Sequence, residues 1–190
     1  MSHPNPSDED KDELLLSCRY GELGNIEQFV QKLGSDNASS IRDDNNNTIL
    51  HMVCANGHIE ALDYLLTVIP PSLLPVQNNA GSTALHWAAL NSHLMIVQKL
   101  VQHPQGPGKD LIDIKNTAGR TPLGEAEVIG WDEGAKWLVE TMNLDEGTKG
   151  GEDQPVEPGQ EIEVEIQDAE GQVAKMKIGP QGVSEPVLKS

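Results

Sequence analysis

Basic side chains are scarce in this sequence of 190 residues: 13 Lys and Arg face 30 Asp and Glu, a formal net charge of −17. Nucleic acid is therefore excluded as the direct ligand, because holding phosphates needs clustered cations. Such a balance suits a basic protein partner, whose encounter a complementary field speeds, and it also keeps a chain soluble. Cysteine is nearly absent. The two present, Cys18 and Cys54, form no metal-ligand or CxxC spacing. A reduced compartment, cytoplasmic and nuclear, is the expectation. No apolar run reaches the ~20 residues a bilayer span needs, and Pro70, Pro71 and Pro75 interrupt the longest candidate. The opening Met-Ser-His-Pro-Asn-Pro lacks the basic, then apolar, then small order of a secretory signal. Paired acids and bases, a metal cluster and a phosphate-binding glycine pattern are also missing, so no cofactor, no metal and no catalysis are expected.

What is present is self-similarity. The run from Thr48 reads Thr-Ile-Leu-His-Met-Val-Cys-Ala-Asn-Gly-His, and that from Thr83 reads Thr-Ala-Leu-His-Trp-Ala-Ala-Leu-Asn-Ser-His. A third copy from Thr121 keeps Thr-Pro-Leu but has Gly124 where the histidine stood, and a weaker one ends at Gly21. The anchors Gly21, Gly57, Ser92 and Gly130 lie 36, 35 and 38 residues apart. Each unit opens on a threonine able to cap a helix, with Pro122 allowed in the first turn of the last. A short inner helix with small residues follows. Then comes a second helix with apolar residues at helical spacing: Leu23, Ile26, Phe29 and Val30; Ile59, Leu62, Leu65 and Leu66; Leu94, Val97, Leu100 and Val101. One such pair cannot bury its apolar face alone, but stacked neighbours cover it. Asp132 in place of Ile59 or Leu94 marks the last unit as a polar cap. Residues 43–47, 77–81 and 115–119 read as turns, and 70–75 and 104–108 as inserted loops.

The repeated Thr-x-Leu-His motif with its Gly-His corner is similar to the ankyrin repeat, whose period is ~33 residues. The resemblance implies an all-α solenoid of about four helix-turn-helix repeats with projecting β-turn fingers over residues 8–142. It also implies that His51 and His86, tempting acid–base groups with Glu60 near, instead bond the turn and the capping threonine. Cys18 and Cys54 share the repeat position of Ala89, so they read as packed small hydrophobes.

From residue 143 the composition changes: eleven acids face four lysines, a net of −7. Such a tail is expected to be largely disordered. Alternation over 161–178 allows a β-hairpin with opposite charges across its strands, although an isolated hairpin is marginal in water.

In ankyrin proteins the inner helices line a concave groove. Here the groove positions are Leu16, Arg19, Tyr20, Met52, Ala55, Asn56, Trp87, Leu90, Asn91, Glu125, Val128 and Ile129. Tyr20, Met52, Trp87, Leu90, Val128 and Ile129 make an apolar stripe suited to a partner, with Trp87 as the central anchor. Asp43 and Asp44 on a finger, with Glu125 and Glu127, are expected to rim it and select a basic segment. The layout of four repeats plus an acidic tail, and the wording of residues 50–60 and 83–91, resemble the small fungal ankyrin-repeat chaperones of a basic KH-domain small-subunit ribosomal protein. That resemblance implies a monomeric holder that keeps the ribosomal protein soluble on its way to ribosome assembly. An ankyrin adaptor of a transcription factor, kinase or proteasome subunit is the other reading.

Overall fold

A computed structural model describes residues 3–143 and two later strands, 162–167 and 173–178. The chain divides into two compact units, 1–148 and 149–190. In the first, the elements are α1 (Asp8–Tyr20), α2 (Leu23–Leu33), α3 (Ser35–Ser40), α4 (Ile49–Ala55), α5 (Ile59–Val68), a 3-10 turn (Pro71–Leu73), α6 (Ala84–Leu90), α7 (Leu94–Val101), α8 (Asp110–Asp113), α9 (Pro122–Val128) and α10 (Asp132–Asn143). Helices α1, α4, α6 and α9 pack side by side in that order, and α2, α5, α7 and α10 back them as the partners of four helix pairs. The described residues of this unit are all-helical or loop.

Each inner helix starts and stops by the same means. Thr48 and Thr121 accept backbone N–H groups of the first turn through their hydroxyls, while Ser7 does so for α1 in a reciprocal pair with Asp10. At the far end, Gly21, Gly57, Ser92 and Gly130 take left-handed φ values of 72°, 74°, 59° and 72°. The residue after each returns its N–H to the helix: Glu22 to Ser17, His58 to Val53, His93 to Ala88 and Trp131 to Ala126. That closure satisfies carbonyls the helix end leaves open. Ser92, carrying a Cβ where its equivalents have none, bears the strain that glycine avoids.

Stacking makes the core continuous. The face turned toward the next pair holds Cys18, Cys54 and Ala89, all at 0% exposure, whereas Glu127 at the same position of α9 is exposed, no further pair following among the described residues. Burial pushes the Cys18 thiol up to about 12 and that of Cys54 higher still, so both behave as packed apolar groups. Burying each Leu, Ile or Val of the stack contributes about 1.5–3 kcal/mol, and Leu50, Leu85, Ile26, Leu62 and Ile96 are all sealed from solvent.

The segments between pairs hold more structure than the turn residues predicted. Helix α3, the 3-10 turn and α8 occupy them, each anchored by apolar groups driven under the stack: Ala38, Leu73 with Leu74, and Leu111 with Ile112. These runs are too short for a helical period to show in sequence.

The second unit, among its described residues, holds two antiparallel strands, β1 (Ile162–Gln167) and β2 (Val173–Ile178), in a register that sets Glu163 opposite Lys177 and Glu165 opposite Lys175. The expectation of a disordered tail over the rest of 144–190 falls outside the described residues.

Candidate functional site

The groove is positioned by the hydrogen bonds that join one repeat to the next. Thr48 N–H donates to His51 Nδ1 at 3.1 Å, so the neutral imidazole carries its proton on Nε2, which donates to the Ser82 carbonyl at 2.9 Å. The pattern recurs one unit on: Thr83 N–H donates to His86 Nδ1 at 3.1 Å, and Nε2 donates to the Arg120 carbonyl at 3.1 Å. Burial is the main cause holding both imidazoles below their usual range, with the backbone bonds opposing it. A ring with both nitrogens committed to backbone has no spare site for proton transfer. These histidines hold the stack, as the motif implied.

A second pair points the other way along the stack. His58 donates from Nε2 to the Arg19 carbonyl at 2.8 Å, and His93 to that of Ala55 at 3.1 Å. Their rings lie against the corner glycines: a Cβ on Gly21 would sit 2.5 Å from His58, and one on Gly57 2.8 Å from His93. The corner glycine is thus needed for close approach as well as for its φ.

The fingers are rigid for a related reason. Asp43, Asn78 and Asn116 each stand five residues before the threonine, and in each an Oδ1 accepts two backbone N–H groups of its own turn: Asn45 and Asn47, Ala80 and Ser82, Ala118 and Arg120. Adjacent fingers are then joined, Asn79 N–H to the Asn45 carbonyl and Thr117 N–H to that of Ala80, both at 2.9 Å.

On this frame lies an open groove of about 460 Å³, lined by Arg19, Asp43, Asn45, Asn47, Met52, Ala55, Asn56, Trp87, Leu90 and Asn91. It unites eight residues expected at or beside it: Arg19, Asp43, Met52, Ala55, Asn56, Trp87, Leu90 and Asn91. Trp87 is half-buried, its indole edge-on to the His51 ring at 5.5 Å and 86°. That contact fixes the anchor and leaves the rest of the ring for a ligand. Asn56 and Asn91 each donate from Nδ2 to a carbonyl one turn back, Met52 and Trp87, at 2.8 Å. Their Oδ1 atoms remain as acceptors on the groove.

The structure corrects the acidic rim. Glu125 is only 6% exposed; its Oε1 accepts from Asn116 Nδ2 at 2.6 Å and faces Arg120 Nε at 3.1 Å. It braces the last finger from the position Trp87 holds in α6, because Gly124 brings no histidine to do so. Asp43 lines the groove, but both its oxygens are occupied, Oδ2 by Asn47 Nδ2 at 2.8 Å. Asp44 is exposed at a fingertip and Glu127 on α9. Tyr20, 66% exposed, lies apart from the groove beside Leu16, and Val128 and Ile129 extend the apolar surface of the last repeat without joining the groove lining. Sequence reasoning missed Asn45 and Asn47 as lining residues. The Asp/Asn recurring five residues before each threonine was the available sign that these turns are built alike and face the same way.

Among the described residues no group of His, Cys, Asp or Glu is placed to hold a metal ion, and no helix is long and apolar enough to cross a membrane. Comparison with known proteins adds the lineage. A model of ankyrin repeats in three copies matches residues 14–113. The ankyrin repeat-containing protein YAR1 of Saccharomyces cerevisiae is 36% identical over 70 residues, 35% of this chain and 35% of its own length. An ankyrin repeat-containing protein of Schizosaccharomyces pombe is 34% identical over 119 residues, 63% of this chain and 77% of its own. One much longer relative is matched over 4% of its length, so the chain spans well under two thirds of some curated relatives. Among solved structures, the yeast ribosomal protein Rps3 in complex with its chaperone Yar1 provides a match at TM-score 0.65 and 29% identity, covering 78% of this chain and 100% of that one. With its matched repeats, paired helices and finger-to-finger bonds, the chain belongs to the ankyrin-repeat family and resembles yeast Yar1, the chaperone of Rps3.

Proposed function

We propose that this protein is a dedicated chaperone that holds a basic small-subunit ribosomal protein, the KH-domain protein S3, soluble before it joins the ribosome. The observation that carries the reading is the likeness, over 78% of this chain, to a solved complex of the yeast ribosomal protein Rps3 with its chaperone Yar1. Two physical features support it. The chain carries −17 formal charge, so its field attracts a strongly cationic protein and competes with RNA for it. The groove also offers a half-buried tryptophan, Met52 and Leu90 among amide acceptors, the mixture of apolar anchor and polar rim on which protein–protein hot spots are built. Residence in both cytoplasm and nucleus belongs to the same proposal and is checked by imaging the tagged full chain.

The test is coexpression with the ribosomal protein. The chain should move it from the pellet to the soluble fraction and copurify with it, and Trp87→Ala with Met52→Ala should abolish capture while leaving the melting temperature nearly unchanged. Undiminished capture by that double variant would reject the groove as the contact surface. Selective recovery of a kinase, transcription factor or proteasome subunit, with no ribosomal protein, would favour an adaptor instead.

A further inference from the structure

The groove is close to neutral. Of its two charged lining residues, Arg19 is a cation and Asp43 spends its carboxylate on its own finger. A basic partner therefore needs its electrostatic counterpart elsewhere, and α1 carries one.

On α1, Glu9, Glu13, Leu16 and Tyr20 follow one another at intervals of four, three and four residues, and Asp12 stands three after Glu9 and four before Leu16, so the five form a single stripe along the helix. The stripe borders a shallow depression completed by Ser17, Glu22 and Asn25. Leu16 is 51% and Tyr20 66% exposed. Neighbouring acids of the same helix are already used: Asp8 pairs with Lys11 at 2.7 Å, and Asp10 caps the helix with Ser7 and meets Lys32 at 3.3 Å. Glu9, Asp12 and Glu13 have no hydrogen bond or ion pair among the described residues. Glu22 adds a fourth charge while accepting from Ser17 and Asn25.

In the later repeats the preceding helix pair covers this flank, but among the described residues no helix pair precedes α1. Glu13 occupies the position that Ile49 fills, at 0% exposure, in α4. Charge at that position solvates the open end of the stack. It does not require Leu16 and Tyr20 to stand bare beside it, and two large apolar groups bounded by uncommitted carboxylates are recognition chemistry.

We infer that the outer stripe of α1 is a second docking surface, separate from the groove, for a lysine- or arginine-rich amphipathic segment of the partner. One apolar side chain of that segment sits between Leu16 and Tyr20, and its cations face Glu9, Asp12, Glu13 and Glu22. The occupant is fixed by charge complementarity: four carboxylates around one depression repel an acidic surface, lose hydration without return against a neutral apolar one, and admit a cationic one. The inference rests on the proposed function only in taking the partner to be basic. It divides recognition into two parts, with the groove supplying apolar anchoring and α1 supplying attraction and orientation.

The test uses the full chain and a synthetic helical peptide with lysines flanking one leucine, so it does not depend on the ribosomal protein. Titration followed by amide NMR should shift residues 9–22 and leave 52–56 and 87–91 in place. Glu9→Gln, Asp12→Asn and Glu13→Gln together, which keep the Ser7 cap and Asp10 intact, should weaken binding about tenfold and flatten its dependence on salt. Leu16→Ser should weaken it while leaving the salt dependence intact. A peptide with glutamates for lysines should not bind. Shifts confined to the groove, affinity indifferent to the three carboxylates, or no binding at low salt would each overturn the inference. Docking on α1 by the peptide, with no ribosomal protein captured by the chain, would uphold this surface and discard the ribosomal identity of the partner.

Discussion

The two middle repeats and the last one brace their fingers and turn their corners by different contacts. In the middle, a buried histidine ties its own cap to the following finger, His51 to Ser82 and His86 to Arg120. Among the described residues no finger follows the last repeat, so a histidine there would carry an Nε2 proton with nothing of the described stack to receive it. Gly124 stands in its place. The bracing is instead closed locally, Glu125 to Asn116 and Arg120. Corner geometry follows the same division: Gly21 and Gly57 are pressed by the histidine of the next repeat, while nothing lies within 4 Å of the Cβ position on Gly130. The middle repeats make such bonds to the unit that follows, whereas the last repeat receives them from its predecessor and closes the rest on itself.

The largest effect should come from cutting a cross-unit bond. His51→Ala leaves Thr48 N–H and the Ser82 carbonyl unpaired inside the stack and opens a void beside Trp87; a loss of about 3 kcal/mol is expected. Placing the missing histidine in the last repeat, Gly124→His, should change stability by less than about 1 kcal/mol, because that site is only half-buried and solvent can meet the new ring. Urea unfolding of the two variants breaks the comparison if they cost the same.

Next come the corners. Gly57→Ala places a methyl 2.8 Å from the His93 ring at φ 74° and should cost about 2 kcal/mol, the left-handed strain plus displacement of His93 from the Ala55 carbonyl. Gly130→Ala meets only the strain and should cost about 1 kcal/mol. Ser92→Gly should gain a fraction of that by relieving a φ of 59°. Thermal melts of the three rank crowding against backbone strain.

Much of this was legible in the residues. Thr-x-Leu-His and the Gly-His corner carry the frame because each letter answers a backbone demand, a cap, a carbonyl in the next unit, a left-handed turn. The groove was legible for Met52, Trp87, Leu90 and the two asparagines, since side-chain direction on a short helix follows from its register. The acids were not. Glu125 and Asp43 read as free charges because a sequence does not display the partner that consumes a carboxylate. Glu125 found Arg120 and Asn116 across the turn, and Asp43 found backbone N–H groups. The short elements α3 and α8 escaped because they exist through Ala38, Leu111 and Ile112 being drawn under neighbours.

Acid should erode the inner repeats before it affects the end one. In the unfolded chain His51 and His86 titrate near 6.5, and burial lowers both when folded. Between the depressed folded values and 6.5 the unfolded chain therefore binds protons that the folded one excludes. These two groups leave stability unaffected well above pH 7 and lower it as pH falls from there through that window. By pH 6 the loss should be smaller than for either substitution above. His86→Gln should remove part of the slope in urea midpoints measured from pH 7.5 to 5.5; an unchanged slope would mean the rings are not excluding protons.

The smallest expected effect bears most directly on recognition. If Asp43 selected a basic partner, Asp43→Asn would remove a charge from the groove and weaken capture. The other two fingers argue otherwise, since Asn78 and Asn116 hold the same turn with a neutral amide oxygen. An asparagine at 43 retains the Oδ1 that accepts from Asn45 and Asn47 and gives up only the contact from Asn47 Nδ2; the bridge between fingers one and two is untouched, because there Asn78 Nδ2 donates to Asn47 Oδ1. Stability should fall by no more than about 0.5 kcal/mol and partner affinity by less than twofold. Asp43→Ala, which removes the acceptor itself, should loosen the finger and cost about 1–2 kcal/mol. A tenfold loss of capture by Asp43→Asn at unchanged stability would return the charge of this groove to recognition, and would mean that the division between a neutral groove and an acidic first helix is drawn in the wrong place.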